Sequence, residues 1–63
     1  LNPREREVLG HLALGRRNKS IAAELGVSEN TIKFHVTSIL QKLHVSNRGE
    51  AGLLAARAGI TAG

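Results

Sequence analysis

The sequence predicts an all-α fold: a compact four-helix domain over residues 1–63 that contains a helix-turn-helix. Three observations support this. Apolar residues recur at helical spacing through most of the chain, and no stretch alternates as a half-buried strand does. Cap and stop chemistry punctuates the pattern, with Asn2-Pro3, Asn18, Ser28 and Asn47 as starts and Gly15, Gly26 and Gly59 as stops. Finally, NKSIAAELGVSENTIKFHVT, Asn18 to Thr37, sets a short helix pattern, a glycine break and a capped second helix in the order of a helix-turn-helix. That spacing is demanding. Ala22 must be small where two helices touch, Gly26 must turn the chain at positive φ, and Ile21, Leu25, Val27 and Ile32 supply the contacts between them.

The first helix, about residues 3–14, opens on an Asn2 cap with first-turn Pro3 and capping-box partner Glu5. Val8, Leu9 and Leu12 are its buried stripe, and Gly15 ends it. Arg16 and Arg17 then form a basic connection to Asn18, read as the cap of a second helix over residues 18–25 with Ile21, Ala22 and Leu25 inward. Ser28 caps a third helix reaching about Leu43, on which Ile32, Val36, Ile39, Leu40 and Leu43 share one face. Asn47 with Glu50 opens, as a second capping box, a fourth helix over residues 47–58. Its inward face is read as Ala51, Leu54, Ala55 and Ala58, leaving Gly52, Leu53, Ala56 and Arg57 outside. The Gly59–Gly63 tail is expected to fray.

Composition bounds the function. At 63 residues the chain is one domain near the lower limit for a core without staples. It has no cysteine for disulfides, and its three scattered histidines lack metal-ligand spacing, so neither a metal nor another cofactor is expected. No apolar run is long enough to span a membrane and no leader pattern precedes the first helix, so a cytoplasmic protein without membrane contact is the expectation. Nine Lys and Arg against five Glu give a net charge of +4, and the isoelectric point is near 10.8. That balance fits a polyanionic partner, and equally a basic surface that is only solvated. The absence of aspartate excludes a phosphoacceptor aspartate or an aspartate dyad within this chain.

At about 100° per residue, Asn30, Phe34, Thr37 and Gln41 fall opposite the apolar stripe of the third helix, with Lys33 and Ser38 flanking them. Phe34 is the only aromatic residue, and leaving it in water forgoes roughly 1.5–3 kcal/mol of burial. Either it packs on a neighbouring element or second subunit, or it enters a DNA major groove and touches thymine methyls. Lys33 suits guanine O6 and N7 or a phosphate, and Thr37 and Ser38 suit base edges or backbone oxygens. The helix N-termini near Asn18 and Lys19 and near Ser28 add partial positive charge toward phosphate. His35 is read equally as a phosphate donor and as a border residue packed on the second helix. His11 and His44 are read as structural or solvated, and Arg4, Glu5, Arg6 and Glu7 as a charge-paired surface without a site.

These segments resemble a known family. LNPREREVL, NKSIAAELGVSENTIKFHV and LQKLHVSNRGEA, together covering nearly the whole chain without gaps, are similar to the LuxR-type helix-turn-helix domain, also called the NarL/FixJ or GerE type. The resemblance implies a four-helix DNA-binding module of a transcription factor, usually C-terminal to a regulatory domain and dimeric on DNA. It implies base reading by Lys33, Phe34 and Thr37, and backbone contacts from Asn18, Lys19, Thr31, His35 and Lys42, to which the helical angle adds Ser38. Dimerisation through the fourth helix would use Gly52, Leu53, Ala56 and Arg57. Phe34 stands where a smaller aliphatic is frequent and Thr37 where a longer polar or basic residue is, so the target sequence does not carry over from relatives. Gly49 replaces a usual threonine, and Arg17 a common capping residue.

The functional expectation is sequence-specific binding of double-stranded DNA by the output domain of a transcriptional regulator, possessing no catalytic constellation. A homodimer on paired half-sites is expected, with contact to the transcription machinery open and a regulatory N-terminal domain, carrying the switch, outside this chain. The competing expectation is a protein-interaction module that docks a partner on the Phe34 face. An enzyme is the weakest reading, because the histidines lack acidic or nucleophilic partners at useful spacing.

Overall fold

A computed structural model describes residues 1–61; the last two positions of the tail lie outside the described residues. The four expected helices are α1 (Pro3–Ala13), α2 (Asn18–Leu25), α3 (Glu29–Leu43) and α4 (Arg48–Ala58). α1 packs against α4 and α3, and α2 leans on α3. Their shared core is Val8, Leu9 and Leu12 from α1, Ile21 and Ala22 from α2, Ile32, Val36 and Ile39 from α3, and Ala51 and Ala55 from α4. Leu25, Val27, Leu40, Leu43 and Val45 close its edges. Each branched side chain buried there contributes about 1.5–3 kcal/mol, which is how so short a chain holds together without covalent staples.

The local signals hold at most boundaries. Asn2 and Glu5 form the reciprocal capping box of α1, with Glu5 N donating to Asn2 Oδ1 at 2.8 Å and Asn2 N donating to Glu5 Oε1 at 3.0 Å. Ser28 Oγ accepts from Thr31 N at 3.1 Å. Gly26, at φ +69°, ends α2, and Val27 N reaches back to Ala22 O at 3.0 Å, which swings Val27 onto the core and sets the direction of α3. α3 stops in the same way, since Val45 N donates to Leu40 O at 3.1 Å, but His44 stands in the left-handed position at φ +56°. That stop carries no glycine in the sequence. The chain tolerates a strained histidine because Val45 and Leu43 bury against the core on either side.

Four expectations need correction. Asn18 does not cap α2; Arg17 occupies the cap position without a side-chain cap bond, and Asn18 is the first helical residue. Its side-chain oxygen is held instead by Arg48, a partner 30 residues away. The second capping box is half formed: Asn47 Oδ1 accepts from Glu50 N at 2.9 Å, while Glu50 Oε2 accepts from Ser46 N at 3.0 Å. Gly52 is buried, whereas Leu54 and Ala58 are exposed, so α4 is turned by roughly 50° from the expected inward face. The physical reason lies at Gly52, where a Cβ would stand 2.6 Å from Leu12 O, so the missing side chain lets the backbone of α1 approach α4. Gly52 therefore belongs to the internal α1–α4 contact and leaves the expected dimer face.

Candidate nucleic-acid interface

α3 presents one open face. Asn30, Lys33, Phe34, Thr37 and Gln41 are all exposed, and Phe34 is 80% exposed, the most of any large apolar side chain in the described residues. Asn30, Lys33, Phe34 and Thr37 line a shallow recess on this face. Two helical turns thus carry a flat apolar ring, an ammonium, an amide and a hydroxyl. These are groups suited to a pyrimidine methyl, to guanine O6 and N7, and to other base-edge atoms. The sequence places them on α3 through helical periodicity. The core contacts of Ile32, Val36 and Ile39 turn them outward.

The remaining backbone-contact expectations are distributed less evenly. Lys19 is exposed at the second position of α2, and Asn18 is half-buried beside it. No side chain caps the first-turn amides of that helix, the first intrahelical bond being Ile21 N to Arg17 O at 3.0 Å, so amide dipoles face outward near Lys19. Thr31 is half-buried, with its hydroxyl 2.9 Å from Ser28 Oγ at the start of α3. His35 is half-buried at the border of the face. Ser38 and Lys42 turn inward to a shared acid: Ser38 Oγ donates to Glu5 Oε2 at 2.6 Å, and Lys42 Nζ donates to Glu5 Oε1 and Oε2 at 2.9 and 3.0 Å. The Lys42 side chain remains 50% exposed, and an ammonium has a third donor for an outside acceptor.

Glu5 is expected from the sequence to close a helix cap and to lie on a charge-paired surface; the cap holds, but the side chain is buried and is the hub between α1 and α3. It is 3% exposed, and its carboxyl is held down to about 2 from an ordinary 4.5. The Ser38 hydroxyl lowers it most, then the Lys42 ammonium and the Asn2 amide, against desolvation, which acts the other way. The sequence carries no signal for this role, because the partners lie on another helix.

Arg48 is a second residue that the sequence reading passed over. From the first turn of α4 its Nη1 donates to Asn18 Oδ1 at 2.6 Å and its Nη2 donates to Arg16 O at 2.7 Å. One signal does point to it: a cation in the first turn of a helix is placed against the dipole, so an outside partner is implied. His11, on the apolar stripe of α1 and 2% exposed, is structural. Its Nδ1 accepts from Arg16 Nη1 at 3.2 Å, and Arg16 also pairs with Glu24 on α2. Arg16 and Arg48 together hold the α1–α2 connection in place.

α4 offers a separate surface. Leu53, Leu54, Ala56 and Arg57 are exposed on it, and two adjacent exposed leucines beside small residues form a more apolar face than the sequence reading assigned. Among the described residues no helix is long and apolar enough to cross a membrane.

Comparison with known proteins gives a consistent result. Residues 1–55 match the family model for bacterial regulatory proteins of the luxR family. The chain is 47% identical over 57 residues to an uncharacterized transcriptional regulatory protein of Bacillus subtilis (strain 168), covering 90% of this chain and 27% of that protein. It is 46% identical over 54 residues to the nitrate/nitrite response regulator protein NarP of Escherichia coli (strain K12), covering 86% of this chain and 25% of that protein. The chain therefore spans about a quarter of the length of these relatives. Among solved structures it is similar to the transcription factor GerE, with a TM-score of 0.82, 38% identity, and coverage of 97% of this chain and 91% of that one. With its helix-turn-helix, and with regulators rather than enzymes as its relatives, the chain belongs to the luxR family of bacterial regulatory proteins and is a DNA-binding domain of that family.

Proposed function

We propose that this domain binds double-stranded DNA sequence-specifically, with α3 in the major groove and two copies on paired half-sites. Phe34 carries the reading. An apolar ring left 80% exposed, more than any other large apolar side chain among the described residues, is suited to a surface outside the chain, and the groups beside it, Lys33 and Thr37, match base edges. In this reading Lys33 donates to guanine, Phe34 covers a thymine methyl and Thr37 bonds a neighbouring base edge. Lys19, the Asn18 amide, Thr31, His35 and Lys42 hold phosphates, whereas Ser38 acts chiefly through Glu5. Leu53, Ala56 and Arg57, now joined by Leu54, supply the contact between copies. The length of the relatives supports a further regulatory domain that holds the switch, with the present domain as its output.

Selection of bound duplexes from random DNA, followed by titration of the winning site against salt, tests this. Paired half-sites should emerge, and affinity should fall by orders of magnitude between low and physiological salt as phosphate counterions are released. Absence of any enriched sequence would sink the specific reading. If Phe34→Ala abolished capture of a protein partner and left DNA binding unchanged, the docking alternative would replace it.

A further inference from the structure

Asn18 stands at the phosphate-facing start of α2, and its amide has two ends of opposite character: an oxygen that a phosphate would repel and an NH2 group that a phosphate would accept. Nothing in the sequence decides which end faces outward. The contact with Arg48 does. A guanidinium has donors and no acceptor, so the atom facing Arg48 Nη1 at 2.6 Å is Oδ1, and the NH2 end is left without that partner. The second arm of the same guanidinium, Nη2, donates to Arg16 O at 2.7 Å, anchoring the connection just ahead of α2. Both bonds span about half the chain, from α4 to the α1–α2 connection. The planar fork spans two acceptors at once, a geometry that a lysine ammonium on a flexible stem does not reproduce.

We infer that Arg48 is a positioning residue for DNA binding: it orients the Asn18 amide so that its NH2 group, and not its oxygen, meets the phosphate backbone at the start of α2. This rests on the proposed reading that α2 abuts the backbone. Arg48 itself is half-buried and touches no DNA in this arrangement. It also explains why Asn18 is the first helical residue and not the cap, because the oxygen that would accept an amide of its own helix is engaged by Arg48.

The test uses the whole chain and a labelled short duplex of random sequence, with affinity followed by fluorescence anisotropy across a salt series. Wild-type protein must bind with a steep salt dependence; if it does not, the DNA reading itself fails, and the orientation argument fails with it for want of a phosphate. Given binding, Asn18→Ala and Arg48→Ala should each weaken it by about five- to tenfold, the size of one hydrogen bond at a solvated surface. The double variant should be no weaker than Arg48→Ala, and the salt slope should stay at the wild-type value. Asn18→Asp is the sharper variant. It keeps an acceptor for Arg48 and places an acid in the first turn of a helix, so the thermal midpoint should hold or rise. Its second oxygen, however, turns toward phosphate, and binding should fall further than in Asn18→Ala.

Additive losses in the double variant would overturn the inference. So would a salt slope smaller by about 0.9 in Arg48→Ala, the mark of a cation that contacts phosphate directly. If Arg48→Ala fails to fold, the contrast between Asn18→Asp and Asn18→Ala decides alone, and an Asn18→Asp variant that binds as tightly as wild type refutes it.

Discussion

Lys42 sets its ammonium against both oxygens of Glu5, at 2.9 and 3.0 Å, and so joins the last turn of α3 to the first turn of α1 across 37 positions of sequence. The same carboxylate accepts from Ser38 one turn earlier on α3 and from the Asn2 amide at the start of α1. The helix that carries Lys33, Phe34 and Thr37 is thereby keyed to the rest of the domain by one buried acid as well as by its apolar stripe. An apolar stripe alone permits a small roll of a helix. A carboxylate with three fixed donors does not.

Glu5 should make the domain sensitive to acid. Its carboxyl lies at about 2 in the folded chain against an ordinary value of 4.5. The stabilisation it contributes is therefore present above the ordinary value and is lost as pH falls from about 4.5 toward 2. Glu5→Gln should lower the thermal midpoint at neutral pH, with the gap to wild type closing as pH approaches 2. Glu7→Gln, whose partner Arg4 is a half-exposed neighbour on the same helix, serves as the control and should follow the wild-type curve. A constant gap across the titration would contradict the assignment.

Two glycines of α4 should respond oppositely to the same change. At Gly52 a Cβ would stand 2.6 Å from Leu12 O and 3.1 Å from its carbonyl carbon, backbone that cannot step aside without moving α1. Overpacking of this kind costs about 1–3 kcal/mol, against about 1 kcal/mol of helix propensity gained. Gly52→Ala should thus destabilise by up to about 2 kcal/mol. At Gly49 the Cβ would meet only Asn47 Oδ1 at 3.3 Å, the exposed cap oxygen that accepts from Glu50 N, and a shift of a few tenths of an ångström relieves the contact without breaking the cap. Gly49→Ala should stabilise by about 0.5 kcal/mol. Urea denaturation of the two variants checks both signs.

Phe34→Ala should leave the fold intact, changing stability by less than about 0.5 kcal/mol because the ring touches little of its own chain. Its effect belongs to base discrimination. Replacing the contacted thymine by uracil removes one methyl, and burying a group of that size is worth about 0.8 kcal/mol, or about fourfold in affinity. Wild-type protein should show that drop and Phe34→Ala should not. Equal affinities of wild type for the thymine and uracil duplexes would exclude the methyl contact.

On α4, Leu53→Glu should separate the two levels of DNA binding. A carboxylate placed in a self-complementary contact meets its own copy across the two-fold, so binding to paired half-sites should weaken by at least about tenfold. Binding to a single half-site should be unchanged. Equal losses on both duplexes would show that α4 acts within one copy and not between two.

What was legible in the sequence was whatever depends on neighbours within a few residues. Asn2 with Glu5, Ser28 with the third helix, and Gly26 at the turn are contacts over three to five positions, and the periodicity of Ile32, Val36 and Ile39 is a property of the helix itself. Those signals also turned Phe34, Lys33 and Thr37 outward, because a face opposite a buried stripe is exposed whatever packs beneath. His44 is the exception among local features, since a left-handed residue other than glycine leaves only a weak mark in the residue type.

The sequence by itself therefore determined the four helices, their order, the helix-turn-helix and the outward ridge of α3. Only the tertiary structure decided the roll of α4 that buries Gly52 and exposes Leu54, the engagement of Ser38 and Lys42 by Glu5, and the capture of the Asn18 oxygen by Arg48. Each of these depends on atoms brought together from distant parts of the chain: about 30 positions for Asn18 and Arg48, and 37 for Glu5 and Lys42. A hydrogen-bonding side chain takes the partner that packing sets beside it, and that choice is written in no local pattern.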